Sequence, residues 1–336
     1  MEPPILKETP ATGDQAGMIF SCLLDGQGRA MPVGWAAVRT WKQGDGPLWV
    51  HLDRADAVAI RWLQAESGLT PVTIDAITAE ETRPRVFRGK RGYVAILRGV
   101  NRNEDNEPED MVAIRLWCDG ERLISLRHRR LFAPRQIFED LTINGSGPRS
   151  APALFETMIS RIIRQASEVV AEYEQKLDGI ELSSQKSGDT AVLRELGDLR
   201  KDAVELRRFM APQREALHAL LAEMPPWMPE DLRPALRESA DRQQRIVEEL
   251  DALRERALVI KDDVANRLAE TMNRNMYIIS VIAAIFLPLS FVTGLLGINV
   301  GGMPGVDNSD AFWIACLLML VLLVAQVWLF RRMKWI

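Results

Sequence analysis

The sequence predicts an α/β domain, then a long helical stalk, then two C-terminal transmembrane helices. Three observations predict it. Lys, Arg, Asp and Glu are dense up to Arg274, absent from there to Asp307, and sparse after Asp310. Two long apolar runs, Met276–Leu296 and Ala311–Phe330, fill that charge-poor tail. Ahead of them, strand-like and helix-like patterns alternate to about residue 146, and helical periodicity follows.

Composition narrows the function. The 336 residues leave room for two soluble domains, or for one domain plus a membrane part. A formal net charge of -4 argues against nucleic acid as the partner. The three cysteines (Cys22, Cys118, Cys316) and three histidines (His51, His128, His218) show no metal-knot spacing, so neither a disulfide framework nor a zinc knot is expected. The large domain is therefore expected in reducing cytoplasm. The N-terminal MEPPILKETPATGDQ lacks an apolar core, so no secretory signal is expected.

Taken in order, Met18–Leu24 reads as a strand followed by an Asp-Gly-Gln-Gly turn, and Leu48–Leu52 as another strand. Ala57–Gln64 and Val72–Thr78 read as helices, and Tyr93–Val100 and Met111–Trp117 as strands. The Asp119-Gly120 turn then leads to Leu123–Leu126, a hairpin. Thr142–Pro152 is a boundary rich in Gly, Ser and Pro. Leu154–Leu182 and Val192–Glu223 follow as helices, with a kink or break expected at Pro212.

Met224–Pro234 interrupts the pattern, and no Pro or Gly then occurs from Ala235 to Leu287. One helix reaching Leu296 would be roughly 90 Å long. Ile246, Leu250, Leu253, Ala257, Ile260 and Val264 form a coiled-coil-like seam on it. That seam packs either on equivalent copies or within the chain.

Each apolar run is about 20 residues, enough to cross a bilayer core. Lys261, Arg267 and Arg274 precede the first, and Arg331, Arg332 and Lys334 follow the second. The link carries Asp307 and Asp310 but no Lys or Arg. The positive-inside rule then puts both chain ends in the cytoplasm and the link outside. Trp328 and Trp335 suit the inner interface, and Trp313 the outer. The expected division is a cytoplasmic α/β domain (1–146), a helical stalk region (147–275), a first span (276–296), an outer loop (297–310), a second span (311–330) and a basic tail (331–336).

Asn273, Met276, Ser280, Ala283, Leu287, Ser290 and Gly294 share one face of the first span. The opposite positions Ile278, Ile282, Ile285, Leu289 and Val292 are bulky and apolar. Such a stripe serves helix packing or a pore, and a pore needs several copies around an axis. The face offers neutral oxygens and no anionic or nitrogen ligand, which suits a cation that keeps its water. Met276 and Leu287 would form apolar rings that gate by dewetting. Pro288 would bend the helix near mid-span.

Gly297-Ile298-Asn299, at the outer end of the first of two C-terminal spans, resembles the Gly-x-Asn motif of the CorA family of divalent-cation transporters. The resemblance covers nearly the whole chain. It implies a homopentameric funnel in the bacterial inner membrane, with the first spans lining the pore and no cofactor. Asn299 would form a ring of amide oxygens selecting hydrated ions, Gly297 would permit the turn that aims them, and Asp307 and Asp310 would concentrate cations.

Leu296, Val300 and the loop Gly301-Gly302-Met303-Pro304-Gly305 resemble the zinc-transporting ZntB branch. Magnesium-type members carry Tyr before the Gly, an aromatic after the Asn and a Met-Pro-Glu loop. Zinc is thus the expected cargo, with proton-driven uptake as one form and efflux as another. The titratable groups nearest the path are Asp307, Asp310 and Glu270.

A magnesium, cobalt or nickel channel is the alternative. Glu238, Asp241, Glu248 and Glu249 are then either metal sensors at subunit interfaces or solvated helix charges. A membrane-tethered enzyme and a scaffold are further rivals, but residues 1–146 hold no P-loop, GxGxxG, GxSxG or metal-ligand pair. His51 and His128 read as ordinary strand residues.

Overall fold

The computed structural model describes residues 16–80, 82–103, 106–184, 190–297 and 309–333. They fall into two compact units, residues 1–261 and 262–336.

The first unit is built on a seven-stranded sheet. Its strands are β1 (Met18–Leu24), β2 (Ala30–Pro32), β3 (Leu48–Asp53), β4 (Arg85–Arg88), β5 (Tyr93–Gly99), β6 (Val112–Cys118) and β7 (Arg122–Arg127). The spatial order is β2-β1-β3-β7-β6-β5-β4. All neighbours are antiparallel except β3 and β7, where Val50 lies opposite Ile124 in a parallel pair. A parallel pair needs a long crossover. Two helices and three strands supply it here.

Helices cover both faces, which is why β3, β5 and β6 read as near-continuous apolar runs rather than alternating ones. On one face α1 (Trp35–Thr40), α2 (Ala57–Ala65) and α3 (Pro71–Thr78) pack Trp35, Trp62, Leu63, Ile74 and Ile77 onto Val50, Leu52, Val94, Ile96 and Ile124. Asp56 caps α2 by accepting from Val58 N at 2.6 Å, and Thr70 with Pro71 starts α3. Behind the sheet run α4 (Phe132–Glu139), α5 (Ala151–Ser184) and α6 (Thr190–Ala222). The α5 helix lies on β5, β6 and β7, while α6 lies on β5 and covers the edge strand β4.

The hairpin at Asp119-Gly120 forms as its sequence predicts. Asp119 Oδ1 accepts from Arg122 N at 2.7 Å, and Gly120 takes φ +99°. This glycine is needed twice over. A Cβ there would fall 2.7 Å from the Cβ of Trp227, which also meets the rings of Tyr93 and Phe155 edge-on. Trp227 thereby pins the Pro-rich segment after α6 against the sheet.

Of the kink or break expected at Pro212, no break occurs: α6 runs through it. Proline removes one N–H from the ladder. In the same turn the buried Gln243 donates Nε2 to Met210 O at 2.9 Å. Its neighbour Gln213 accepts from Arg98 N of β5 at 2.7 Å and donates to Gln243 Oε1 at 3.2 Å. A buried amide network thus ties sheet, α6 and the next helix together at the weak point.

That next helix, α7 (Arg233–Leu296), is a single run of 64 residues. Up to residue 261 it belongs to the first unit. Its seam residues Ile246, Leu250, Leu253, Ala257 and Ile260 are buried inside the chain, so this stretch of the seam is used intramolecularly rather than between copies. Arg207 of α6 grips Asp251 through Nε at 2.6 Å and Nη2 at 3.0 Å, and Arg256 reaches Asp178 and Glu181 of α5. The second unit contains the rest of α7 and α8 (Ala311–Arg332).

His51 is a structural residue. It is buried on β3, stacked near Phe20, with Nδ1 2.8 Å from Ser125 Oγ, which also accepts from Trp49 Nε1 at 2.8 Å. Burial, reinforced by the Arg127 charge, holds its pKa well below 6.5. The unfolded chain therefore takes up a proton at His51 that the folded chain refuses. Stability at this site is intact above about pH 6.5 and falls with acid, by up to about 1.4 kcal/mol per pH unit. Asp202 acts in the opposite sense. Burial and Glu109 raise its pKa to about 6, so the folded state gains a proton there first. Comparing thermal melts of the native protein and His51→Gln between pH 7.5 and 5.5 isolates the histidine, and the variant should lose the steeper part of the acid decline.

Candidate ion pathway along the first apolar helix

Beyond Arg274, α7 has no charged residue up to its end at Leu296, and α8 has none before Arg331. Both helices are long and apolar enough to span a membrane. Each carries one half-buried stripe. On α7 it comprises Val281, Ala284, Ile285, Pro288, Leu289 and Val292. On α8 it runs through Ala311, Ala315, Met319, Leu322, Gln326 and Val327 to the buried Phe330. Steps of three and four are those of helices packing along their length.

The face expected to line a pore points elsewhere. Asn273, Met276, Ser280, Ala283, Leu287, Ser290 and Gly294 are all exposed in the single chain. At 100° per residue, Met276 to Gly294 lie on the side away from the half-buried stripe. Of the bulky opposite set, Ile285, Leu289 and Val292 are half-buried, while Ile278 and Ile282 are exposed. These small and weakly polar residues share a surface that none of the described residues covers.

The chemistry of that surface is acceptor-rich. Ser280 Oγ donates to Met276 O at 2.8 Å, so its proton is committed to the backbone and its lone pairs face outward. Thr293 Oγ1, to one side of that face, does the same toward Leu289 O and Ser290 O, at 3.1 and 3.0 Å. A Cβ at Gly294 would meet nothing within 4 Å, so the face is open there. Such oxygens can accept from the water of a hydrated cation but cannot replace its inner shell.

At the C-terminal end of α7 Gly297 N donates to Thr293 O at 3.0 Å and closes the last turn. Ile298, Asn299 and Asp307 lie outside the described residues. Asp310 is exposed one residue before α8, where its carbonyl accepts from Ile314 N at 3.1 Å. A carboxylate at a helix N-terminus is favoured by the helix dipole. Sequence reasoning passed over Gln326 of the α8 stripe, whose buried Oε1 has no hydrogen-bond partner among the described residues. An amide inside an apolar run was the available signal.

The acidic candidates of the long helix are differently placed. Glu238 accepts from Arg245 at 2.9 Å and Arg242 at 3.4 Å, and these guanidiniums hold its carboxyl below the usual range. With Asp241 it lines a shallow groove that also contains Arg233 and Arg237. Among the described residues no three His, Cys, Asp or Glu side chains come together as a metal cluster. Glu248 accepts from Gln244, and burial followed by Glu174 raises the carboxyl of Glu249. Glu270 is exposed.

Comparison with known proteins agrees with this arrangement. Residues 44–332 match the family described as CorA-like Mg2+ transporter protein. The chain is 38% identical over 331 residues to the divalent cation transporter CmaX of Pseudomonas aeruginosa, covering 97% of this chain and 98% of that protein. It is 34% identical over 323 residues to the zinc transport protein ZntB of Yersinia enterocolitica, covering 95% and 96%. The solved structure of full-length CmaX superposes with a TM-score of 0.84 at 37% identity, covering 97% of this chain and 100% of that one. An α/β unit, one very long helix and two apolar C-terminal helices, matched along nearly their whole length, place this chain in the CorA family of divalent-cation transporters.

Proposed function

We propose that this protein passes hydrated divalent cations through a homopentameric pore lined by the exposed face of α7, with Asn299 at the outer mouth. The carrying observation is that uncovered stripe of Ser, Ala and Gly, laid out toward Gly297 on a helix whose other side is packed. One chain contributes two spans and cannot enclose water, so the stripe needs copies around an axis. Both chain ends face the cytoplasm in this reading, because Lys261, Arg267, Arg274, Arg331 and Arg332 flank the spans on one side.

The cargo is best assigned to the magnesium class. The expectation of zinc rested on the residues around the Gly-x-Asn motif, and zinc-transport relatives keep it as the second reading. The family description names magnesium, and the α7 face favours it too. Magnesium sheds water reluctantly and suits neutral oxygen acceptors. Zinc prefers nitrogen and sulfur ligands, which that face lacks.

Metal-resolved uptake into proteoliposomes tests both layers. Magnesium should enter down its own gradient, with cobalt and nickel following, and should do so when the pH gradient is dissipated. Zinc uptake that excels magnesium and collapses with the pH gradient would favour the second reading. No metal entering faster than into empty liposomes would remove the transport assignment.

A further inference from the structure

Three elements of the α/β unit meet at one carboxylate that ion passage does not use. Glu109 lies in the turn just before β6. Asp110 N donates to Glu107 O at 3.1 Å and Met111 N to Glu109 O at 2.7 Å, which fixes that turn. From α5, the hydroxyl of the buried Tyr173 donates to Glu109 Oε2 at 2.8 Å. Burial, then the Glu109 contact, pushes the Tyr173 pKa up, so the phenol keeps its proton at neutral pH.

From α6, Asp202 makes a side-chain hydrogen bond with the same Glu109. An ionised carboxylate only accepts, so two carboxyls can bond to each other only when one of them carries a proton. Without that proton the two groups repel.

The surrounding charges do not neutralise the pair. Asp198 of α6 adds to the repulsion on Asp202, and Lys176 of α5 opposes it. Glu107 bears on Tyr173 from the same turn as Glu109. Arg102 is engaged by Glu168 and Glu172 of α5 at 3.0 and 3.8 Å. On its other side Glu109 borders a cleft shared with Arg98, Asp110, Glu205 and Arg208.

We propose that Glu109 and Asp202 form a proton-operated latch. A proton held between the two carboxyls fastens the turn before β6 to α6, and losing it as pH rises lets the two part. Burial and Glu109 raise the Asp202 pKa to about 6 from an ordinary value of about 4. The contact is therefore complete below about pH 4 and lost as pH rises through about 6. The latch bears on the helix that holds the long one, because Arg207 of α6 grips Asp251 of α7. The competing reading is a fixed contact that pH does not move.

Hydrogen exchange of the full chain in detergent, at pH 5.0 and 7.5 and corrected for intrinsic rates, separates the two. The turn before β6 and α6 around Asp202 should be protected about threefold or more better at pH 5.0. Acid weakens the His51 site, so this gain runs against the trend expected for the rest of the α/β unit. Asp202→Asn keeps a donor at every pH and should show the acid level of protection at both. Glu109→Gln removes the repelling charge and should flatten the profile as well. Should Asp202→Asn fail to fold, Glu109→Gln alone decides. Equal protection of the native protein at both pH values, or a pH dependence that a folded variant retains, overturns the latch. Metal flux enters none of these readouts.

Discussion

Ala283→Trp should block metal flux while leaving the protein folded and in the membrane. Ala283 sits mid-way along the exposed face of α7, between Ser280 and Leu287 and away from the half-buried stripe. An indole there projects from the exposed side of the helix, and an apolar ring suits an apolar span. Around the proposed five-fold axis the substitution would plant five indoles in one ring, leaving no room for an ion and its water. Flux should fall by about a hundredfold or more. Size-exclusion elution and melting temperature should stay those of the native protein. If the variant conducts normally, Ala283 does not line the path and the face has been assigned to the wrong partner.

Asn299→Ala should be the most damaging small truncation. In the proposed pore an amide oxygen at the mouth would accept from the water of an arriving cation, and a methyl group could not. Losing one charge-assisted acceptor per subunit should cut divalent flux by about tenfold or more. Asn299→Asp provides the sign test. It keeps the acceptor and adds charge, so it should bind divalent ions more tightly while releasing them more slowly. Concentration-dependent flux in proteoliposomes separates these effects. An Asn299→Ala protein with native flux and native preference among metals would remove the amide from selection.

Much of this architecture was legible in the sequence because its signals are long or chemically specific. Two apolar runs of bilayer length cannot hide in a chain whose remainder is densely charged. The Asp119-Gly120 pair announces its hairpin because only glycine takes φ +99° there without strain. Short elements were not legible. The three residues of β2, the four of β4 and the six of α1 carry too few positions to show a period. The α4 helix hides behind Pro134 in its first turn. That α6 stays unbroken at Pro212 was not legible, because the amide contact bracing the next residue, Gln213 to Gln243, joins positions far apart in sequence.

The candidate path divides in the same way. Helical spacing alone placed Ser280, Ala283 and Gly294 on one face, and backbone geometry added that this face is uncovered.

The water-lined face of α7 is the claim on which the rest depends, and cysteine accessibility tests it most directly. Cys316 is first replaced by Ser. Cys22 and Cys118 are buried, with thiols pushed well up by desolvation to about 12 for Cys22, so they stay silent. A charged, membrane-impermeant thiol reagent should then modify Ser280→Cys, Ser290→Cys and Gly294→Cys and block flux, while Ile285→Cys and Leu289→Cys resist. Modification of Ile285→Cys and Leu289→Cys, with the serine and glycine positions inert, would contradict the account.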